Sequence, residues 1–400
     1  MRLRCAALRI VQTPPVGAVC CLQRIALRVG CVLTAAFMAV FLAPAALSAN
    51  TWKWRVENVD IAGKFTSIAV DREGNVHLSY SEGGNTKYAF RPAGDSSKWF
   101  TMVIDGNGSF TNLALDAQGH PHICYTQRVI KYAHWDDAKW QIQSLATDNA
   151  PIGFSCSIAV NAAGSPFIAW YRERNGDDTL YGHLKFAELQ DGAWIVRTLD
   201  FDSQTGKWES MTTDAQGNPV IAFDAYVKGI LKFAQRDRNN NWKISTVDFR
   251  GRTNQVYDVG MGNSLVLDKH GSPVISYEDG EDVKLARPDG DTWKVETIDS
   301  LHPLGSWVGY RTSLALDQQG FPHIAYDAGG LLKHAYWDGQ KWVIQILTHP
   351  GIQEYRYCSI AIDQNNRIFV SYTDPDDGSV KVAVGEPAAD AGDPAAKAAK

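Results

Sequence analysis

Residues 67–80 read SIAVDREGNVHLSY, and versions of this phrase occur seven times along the chain. Each copy has a small polar residue, a short apolar run, a turn and a second apolar run that ends in an aromatic residue; the turn reads Asp-x-x-Gly, except that Asn161 replaces Asp in the third copy and Asn366 replaces Gly in the seventh. Asp can bond to the turn backbone, and Gly or Asn tolerates positive φ, so the phrase predicts a β-hairpin. The turn anchors are Asp71, Asp116, Asn161, Asp214, Asp268, Asp317 and Asp363, and the terminal aromatics are Tyr80, Tyr125, Trp170, Phe223, Tyr277, Tyr326 and Tyr372.

Two further strands follow each hairpin. The third strand carries a repeated lysine within Lys-x-Ala, and the fourth opens with tryptophan. The lysines are Lys87, Lys131, Lys185, Lys232, Lys284, Lys333 and Lys381, and the tryptophans are Trp99, Trp140, Trp194, Trp242, Trp293 and Trp342. Successive turn anchors are 45 to 54 residues apart. Four strands in a unit of this length predict the blade of a β-propeller.

The seventh repeat stops after its third strand and has no tryptophan strand of its own. The segment Trp52–Asp60 matches the missing strand. The sequence therefore predicts an all-β, seven-bladed propeller of four-stranded antiparallel blades over residues 50–385, closed by its N-terminal strand. Closure hides the strand edges that an open array would expose.

The two ends of the chain differ from the repeats. Residues 1–49 hold five arginines and no acidic residue, followed by an apolar run and the small residues of Leu47-Ser48-Ala49. This order predicts a secretory signal peptide, with a retained membrane anchor as the alternative. We expect an exported protein that is periplasmic, secreted or at the cell surface. Residues 386–400 are rich in alanine and predict a disordered tail.

Charge narrows the possible partners. The chain carries −5, and removal of the leader's five arginines leaves about −10. An acidic protein without a basic run is a poor candidate for nucleic acid or an anionic membrane. No other long apolar segment is present, so we expect no membrane span in the mature form, and we expect a monomer.

Three cysteines remain after the leader. Cys124 and Cys156 occupy small-residue positions in adjacent blades, where a disulfide between them is possible. Cys358 belongs to the seventh blade and is too distant to pair with Cys156.

Residues that occur in every blade favour a structural role, because a single active site needs asymmetry. We expect each repeated lysine to be half-buried and paired. The terminal aromatics favour core packing, with a ring of equivalent sugar-stacking sites, as in a multivalent lectin, as the alternative.

Departures from the repeat predict the binding face. The links that enter blades four to seven are longer than the others and gather Trp, Tyr and Arg, the residue types that dominate binding energy. The candidate ligand-binding residues are Trp208, Glu209, Tyr257, Asp258, Trp307, Tyr310, Arg311, Tyr355, Arg356 and Tyr357. The alternatives are ordinary loop packing and a pocket over the central channel, where arginines hold an anion and aromatics stack on a sugar.

The blade pattern over residues 51–385 resembles the sialidase-like and fucose-lectin-like propellers, through the strands, turns, aromatics and tryptophans quoted above. A sialidase would imply three arginines on a carboxylate, and Arg311 and Arg356 could be two of them. Arg311 lies two residues before Ser313, whereas Arg356 lies three before Ser359, so they should point to different sides of their strands unless a bulge intervenes.

Three function classes follow. The preferred hypothesis is an exported module that binds a glycan or protein ligand on the face of the inter-blade links, without catalysis. The alternatives are a glycoside hydrolase or polysaccharide lyase using Glu209 and Asp258, and a scaffold in an exported complex. No cofactor motif is present, and Asp374, Asp376 and Asp377 fit an acidic turn better than a calcium site.

Overall fold

The computed structural model describes residues 52–94, 98–145, 152–173, 182–200, 205–225, 228–249, 259–300, 308–328, 330–348 and 357–387. Side chains are described for these residues except at 152–154, 173, 205 and 308–310. Within these ranges the architecture is all-β, with 28 strands in seven four-stranded sheets. No helix in the described ranges has the length and apolarity to cross a membrane.

The first strand, β1 (Trp52–Asp60), precedes the first blade. Blade 1 contains β2 (Lys64–Val70), β3 (Val76–Glu82), β4 (Asn85–Arg91) and β5 (Phe100–Asp105). Blade 2 contains β6 (Ser109–Leu115), β7 (Pro121–Thr126), β8 (Ile130–Trp135) and β9 (Trp140–Ser144). Blade 3 contains β10 (Ile152–Val160), β11 (Pro166–Glu173), β12 (Gly182–Gln190) and β13 (Ala193–Asp200).

Blade 4 contains β14 (Thr205–Thr213), β15 (Pro219–Ala225), β16 (Ile230–Arg236) and β17 (Trp242–Phe249). Blade 5 contains β18 (Met261–Leu267), β19 (Pro273–Glu278), β20 (Asp282–Asp289) and β21 (Thr292–Ser300). Blade 6 contains β22 (Val308–Leu316), β23 (Pro322–Ala328), β24 (Leu331–Trp337) and β25 (Trp342–Ile346). Blade 7 contains β26 (Ser359–Ile362), β27 (Ile368–Thr373) and β28 (Val380–Pro387), and β1 is its fourth strand.

Closure of the propeller by the N-terminal strand is confirmed. β1 pairs antiparallel with β28, from Trp52 opposite Pro387 to Asp60 opposite Val380. β28 thus ends two residues beyond the predicted boundary at 385. The predicted signal peptide and most of the predicted tail lie outside the described residues and stay predictions.

The hairpin turns form as the sequence predicts. In blade 1 the backbone N–H of Asn75 donates to Asp71 Oδ1 at 2.8 Å, and Gly74 has φ of 86°. Asn366, which replaces glycine in blade 7, also adopts positive φ, at 58°. The Asp-x-x-Gly phrase therefore encodes its turn through side-chain bonding to the backbone and a left-handed residue.

The small polar residue that opens each phrase links neighbouring blades. Its side chain accepts a hydrogen bond from the backbone N–H of the following blade's innermost strand, as when Leu113 donates to Ser67 Oγ at 3.0 Å. The ring closes where Ile68 of blade 1 donates to Ser359 of blade 7, at 3.2 Å. The seven ring residues are Ser67, Asn112, Ser157, Ser210, Ser264, Ser313 and Ser359.

The repeated tryptophans pack across blade junctions. Trp140 meets Tyr88 of the preceding blade edge-on, with ring centroids 5.1 Å apart. At the junction of blades 6 and 7 the same place is taken by Trp54, 5.3 Å from His334. Trp52, two residues earlier, is therefore additional to the repeat.

The repeated lysines are paired, as predicted. Lys333 Nζ lies 2.8 Å from Asp299, which also accepts a hydrogen bond from Tyr326. Ion pairs join most of the other repeated lysines to aspartates, while Lys185 donates to Thr198. The two cysteines of adjacent blades, Cys124 and Cys156, form a disulfide with Cα atoms 6.3 Å apart.

Candidate functional site

The innermost strands carry bulges where they enter the propeller from the inter-blade links. In three of them the residue two places before the ring residue is aromatic with positive φ: Phe65 at 58°, Phe110 at 51° and Trp208 at 52°. Such φ values are uncommon outside glycine, and a bulge re-aims its side chain. The same position holds Arg311 in blade 6 and Tyr357 in blade 7. These five residues form what we call the channel mouth.

The side chains of the channel mouth contact one another across blades. The Phe65 ring lies 4.0 Å from that of Phe110 and 4.5 Å from that of Tyr357, between centroids. The Arg311 guanidinium lies 4.9 Å from the Tyr357 ring centroid and 5.5 Å from that of Trp208. Rings on both sides hold this cation by cation–π attraction. Among the described residues, Arg311 has no carboxylate within salt-bridge distance.

Glu209 stands next to Trp208 and is buried, at 7% exposure. Burial raises the pKa of its carboxyl to about 8, against smaller lowering effects from Ser155 and Arg311. Ser155 donates to Oε2 at 3.2 Å, while Oε1 is buried without a partner in the described structure. At neutral pH the neutral acid is favoured, and it can donate a hydrogen bond through its O–H.

A small cavity lies below the channel mouth. Its volume is about 80 Å³, enough for a few waters or for one carboxylate or sulfate group. Hydroxyl and amide side chains dominate its walls, which include the seven ring residues, and Glu209, Asn263, Arg311 and Cys358 line it as well.

A buried acidic group of blades 5 and 6 acts electrostatically on Cys358, which lines this cavity. Glu278 is 1% exposed, and burial together with Asp327 and Asp279 raises the pKa of its carboxyl well above the usual range. Burial, Asp327 and Glu278 also raise the pKa of the Cys358 thiol. The thiol therefore stays protonated at neutral pH, which removes it as a nucleophile.

The structure brings four of the ten predicted site residues together: Trp208, Glu209, Arg311 and Tyr357. Tyr310 lies within β22, and its side chain is not described. The others lie outside the described residues, and their role at the site stays a prediction: Tyr257, Asp258, Trp307, Tyr355 and Arg356.

Sequence reasoning missed Phe65 and Phe110, because they lie in short, unremarkable links. A register signal was available: they stand two residues before the ring residue, as do Trp208 and Arg311. The bulges at this position could not be predicted, because a bulge depends on how the strands pair and the sequence alone does not give that pairing.

The terminal aromatics of the second strands do not form a lectin ring. All seven are at most 2% exposed, and Tyr80, Tyr125 and Tyr326 donate hydrogen bonds to the aspartates that pair with the repeated lysines of their blades. The acidic turn near the C-terminus is internally bonded, with Asp374 2.7 Å from Lys381. Within the described residues no group of three or more His, Cys, Asp or Glu side chains could hold a metal ion.

Comparison with known proteins supports the fold. No family model and no curated protein matches the chain. A fungal lectin from Aleuria aurantia, a six-bladed propeller that recognises fucose, is 16% identical with a TM-score of 0.51, over 74% of this chain and 98% of the lectin. An ulvan lyase from a polysaccharide lyase family is 12% identical with a TM-score of 0.52, over 84% and 94%.

A third solved structure is a protein of unknown function from Dyadobacter fermentans, 12% identical with a TM-score of 0.50, over 84% of this chain and 99% of that one. At these identities the likenesses establish a propeller and leave function to the site.

Proposed function

We propose that this protein binds an acidic glycan at the channel mouth, through a carboxylate or sulfate group of the sugar. The observation that carries the proposal is the position of Arg311. Its guanidinium is held between two aromatic rings, without a carboxylate partner in the described structure, above a polar cavity.

The cavity suits an anion better than a whole sugar. Arg311 supplies two parallel N–H donors, which match the oxygens of a carboxylate or sulfate. Neutral Glu209 and the hydroxyls of the ring residues add further donors. An anionic substituent would enter the cavity, while the ring that carries it would stay outside.

The aromatics of the channel mouth suit the sugar ring. Trp208 and Tyr357 flank Arg311, so a pyranose whose substituent reaches the arginine would meet an aromatic face. A fucose lectin and an ulvan lyase are among the proteins of similar fold, which is consistent with a carbohydrate ligand. A protein ligand that presents an exposed carboxylate would use the same donors, and a scaffold in an exported complex remains the third possibility.

We place this function outside the cytoplasm. The predicted signal peptide indicates export, and the Cys124–Cys156 disulfide fits an oxidising compartment. Periplasm, cell surface and medium are equally compatible with these features.

A glycan array that pairs neutral sugars with their uronate and sulfated forms tests the proposal. We expect the mature protein to retain acidic glycans and to lose them when Arg311 is replaced by Ala. Arg238→Ala is the matched control, because Arg238 is an exposed arginine in the turn that follows β16, outside the channel mouth. Retention of neutral glycans alone, or acidic binding that survives Arg311→Ala, would refute the proposal.

The raised pKa of Glu209 favours polysaccharide elimination as the second candidate. In that reaction ionised Glu209 would take the proton from C5 of a uronate while Arg311 neutralises its carboxylate. The C4–O bond would break as the C4=C5 double bond forms, and the departing oxygen would take up the proton that Glu209 removed, directly or through water, which leaves Glu209 ionised again. Ultraviolet absorbance of an unsaturated product, lost in Glu209→Gln, would establish this activity; its absence across uronate polymers would leave binding alone.

A further inference from the structure

A second cavity lies on the opposite face of the propeller, where the Asp-x-x-Gly turns are. It is a cleft of about 380 Å³ between blades 1 and 2, and we call it the 1/2 cleft. Its walls are largely aromatic and include Tyr88, Phe90, Phe100, Trp135 and Trp140, together with Met102. Phe100 is 44% exposed and Met102 40%, so the cleft is open to solvent.

The chain itself fills the corresponding cleft at two other junctions with an arginine. Between blades 7 and 1, Arg91 lies 5.8 Å from the Trp99 ring and bonds to Glu57 at 3.1 Å. Between blades 3 and 4, Arg236 lies 5.9 Å from the Trp242 ring and bonds to a buried glutamate at 2.6 Å. Both arginines stand four residues after the repeated lysine of their blade.

Between blades 6 and 7 the filling group is an indole. The Trp52 ring lies 4.5 Å from Tyr336, 5.1 Å from His323 and 5.9 Å from His334, edge-on to all three. Its Nε1 faces the backbone carbonyl of Asn366 at 3.5 Å. Trp52 is 8% exposed, so the indole is almost wholly enclosed.

The 1/2 cleft has the same aromatic framework. His77, Tyr88 and Phe90 occupy the strand positions of the three rings that surround Trp52, as the register from the repeated lysine shows. The Gly119 carbonyl occupies the turn position of the Asn366 carbonyl. The framework that receives an indole at one junction is therefore repeated at another.

No group from the described chain fills the 1/2 cleft. The residue two places before Trp140 is Ala138, in a tight turn, where blade 7 has Trp52. Trp135 stands at the arginine position, but its ring turns onto Trp140, 5.9 Å away. Met102 stands where blade 7 has Glu57, the carboxylate that holds Arg91.

We propose that the 1/2 cleft binds one indole ring, supplied by an exposed tryptophan side chain of a partner protein. The indole would lie edge-on to His77, Tyr88 and Phe90, with its N–H directed at the Gly119 carbonyl. This site is independent of the channel mouth, and either can fail without the other.

N-acetyl-tryptophanamide is the probe, titrated into the full mature protein and followed by chemical shifts or calorimetry. We expect one site with Kd on the order of 1 mM, since a single side chain is a small ligand. The double variant Met102→Glu with Trp135→Arg copies the ion pair of blades 7 and 1 and should weaken binding at least tenfold. Met102→Gln is the matched control, because Gln345 holds this place at the junction that receives Trp52, where it accepts a hydrogen bond from Trp54, and it should retain binding within about twofold.

Trp52→Ala supplies an independent arm. It empties the cleft between blades 6 and 7, so a folded variant should bind two equivalents of the probe. If Trp52→Ala does not fold, the double variant Met102→Glu with Trp135→Arg still tests whether the 1/2 cleft binds indole, because its two substitutions lie near the surface. Absence of saturable binding to the wild type, binding unaffected by the double variant, or a methyl pyranoside that occupies the cleft in place of the indole would overturn the proposal.

Discussion

Two sets of cations differ in what holds them. The lysine of each blade is repeated, half-buried and satisfied by the chain: Lys333, for instance, bonds to Asp299, which Tyr326 also contacts. Arg311 occurs once, between Trp208 and Tyr357, with no carboxylate in reach among the described residues. A cation that the fold already neutralises contributes to the scaffold, whereas one held only by aromatic faces keeps its donors for an external anion.

The same contrast applies to the carboxylates. Asp299 accepts bonds from two donors, whereas one oxygen of Glu209 has no partner among the described residues and burial raises its pKa to about 8. Perturbed groups that the fold does not satisfy concentrate at functional sites. The channel mouth thus brings together a cation without a carboxylate partner in the described ranges and a carboxyl group with a raised pKa.

The largest loss of stability is expected when the strand that closes the propeller is deleted. Deletion of residues 51–60 removes β1, exposes β28 as an edge, and takes away Asp60, the partner of Lys87 and Tyr80. We expect loss of the cooperative folded monomer, because the blade loses a whole ladder. Size-exclusion chromatography and thermal melting check this, and a monomer that melts like the wild type would show that closure is not needed.

A smaller loss of stability is expected when one repeated lysine–aspartate ion pair is broken. Asp299→Asn leaves Lys333 half-buried and without its anion, which should lower the free energy of unfolding by about 2 to 4 kcal/mol. Arg311→Ala, the matched change at the channel mouth, loses two cation–π contacts but no ion pair with a described carboxylate, so it should lower this free energy by only about 1 kcal/mol. Urea unfolding of both variants measures the difference, and equal losses would erase the distinction between the two sets of cations.

The pH dependence should come from Glu209. Its folded pKa is raised, so its neutral form contributes stability that is fully present below pH 4.5 and is lost as pH rises toward 8. The wild type should lose up to about 1.4 kcal/mol per pH unit in this window relative to Glu209→Gln, which cannot ionise. Parallel pH-stability curves for the two proteins would contradict the assignment.

Most of the fold could be predicted from the sequence repeat. The turn anchors, the ring residues, the tryptophans and the missing fourth strand together specify seven blades and their closure. Even so, sequence periodicity did not distinguish Trp52 from Trp54, because both suit the strand, and only packing against the preceding blade separates them.

The residues of the channel mouth were harder to predict from the sequence than the fold. Trp208 and Arg311 stood out because they depart from the repeat. Phe65 and Phe110 did not, since their role depends on bulges that turn side chains toward the axis. The sequence also did not reveal that no described side chain fills the 1/2 cleft, because this becomes apparent only when the blade junctions are compared in three dimensions.

Calorimetric titration of one uronate-containing oligosaccharide into the wild type, Arg311→Ala and Lys333→Met, with a melting curve for each, tests the central claim most directly. We expect Arg311→Ala to lower the affinity at least tenfold, because the anion contact is lost, and to lower the melting temperature only slightly, through the loss of two cation–π contacts. Lys333→Met should lower the melting temperature further, because it breaks the ion pair with Asp299, and should leave the affinity unchanged. Full affinity in Arg311→Ala, or loss of affinity in Lys333→Met while it remains folded, would contradict the account.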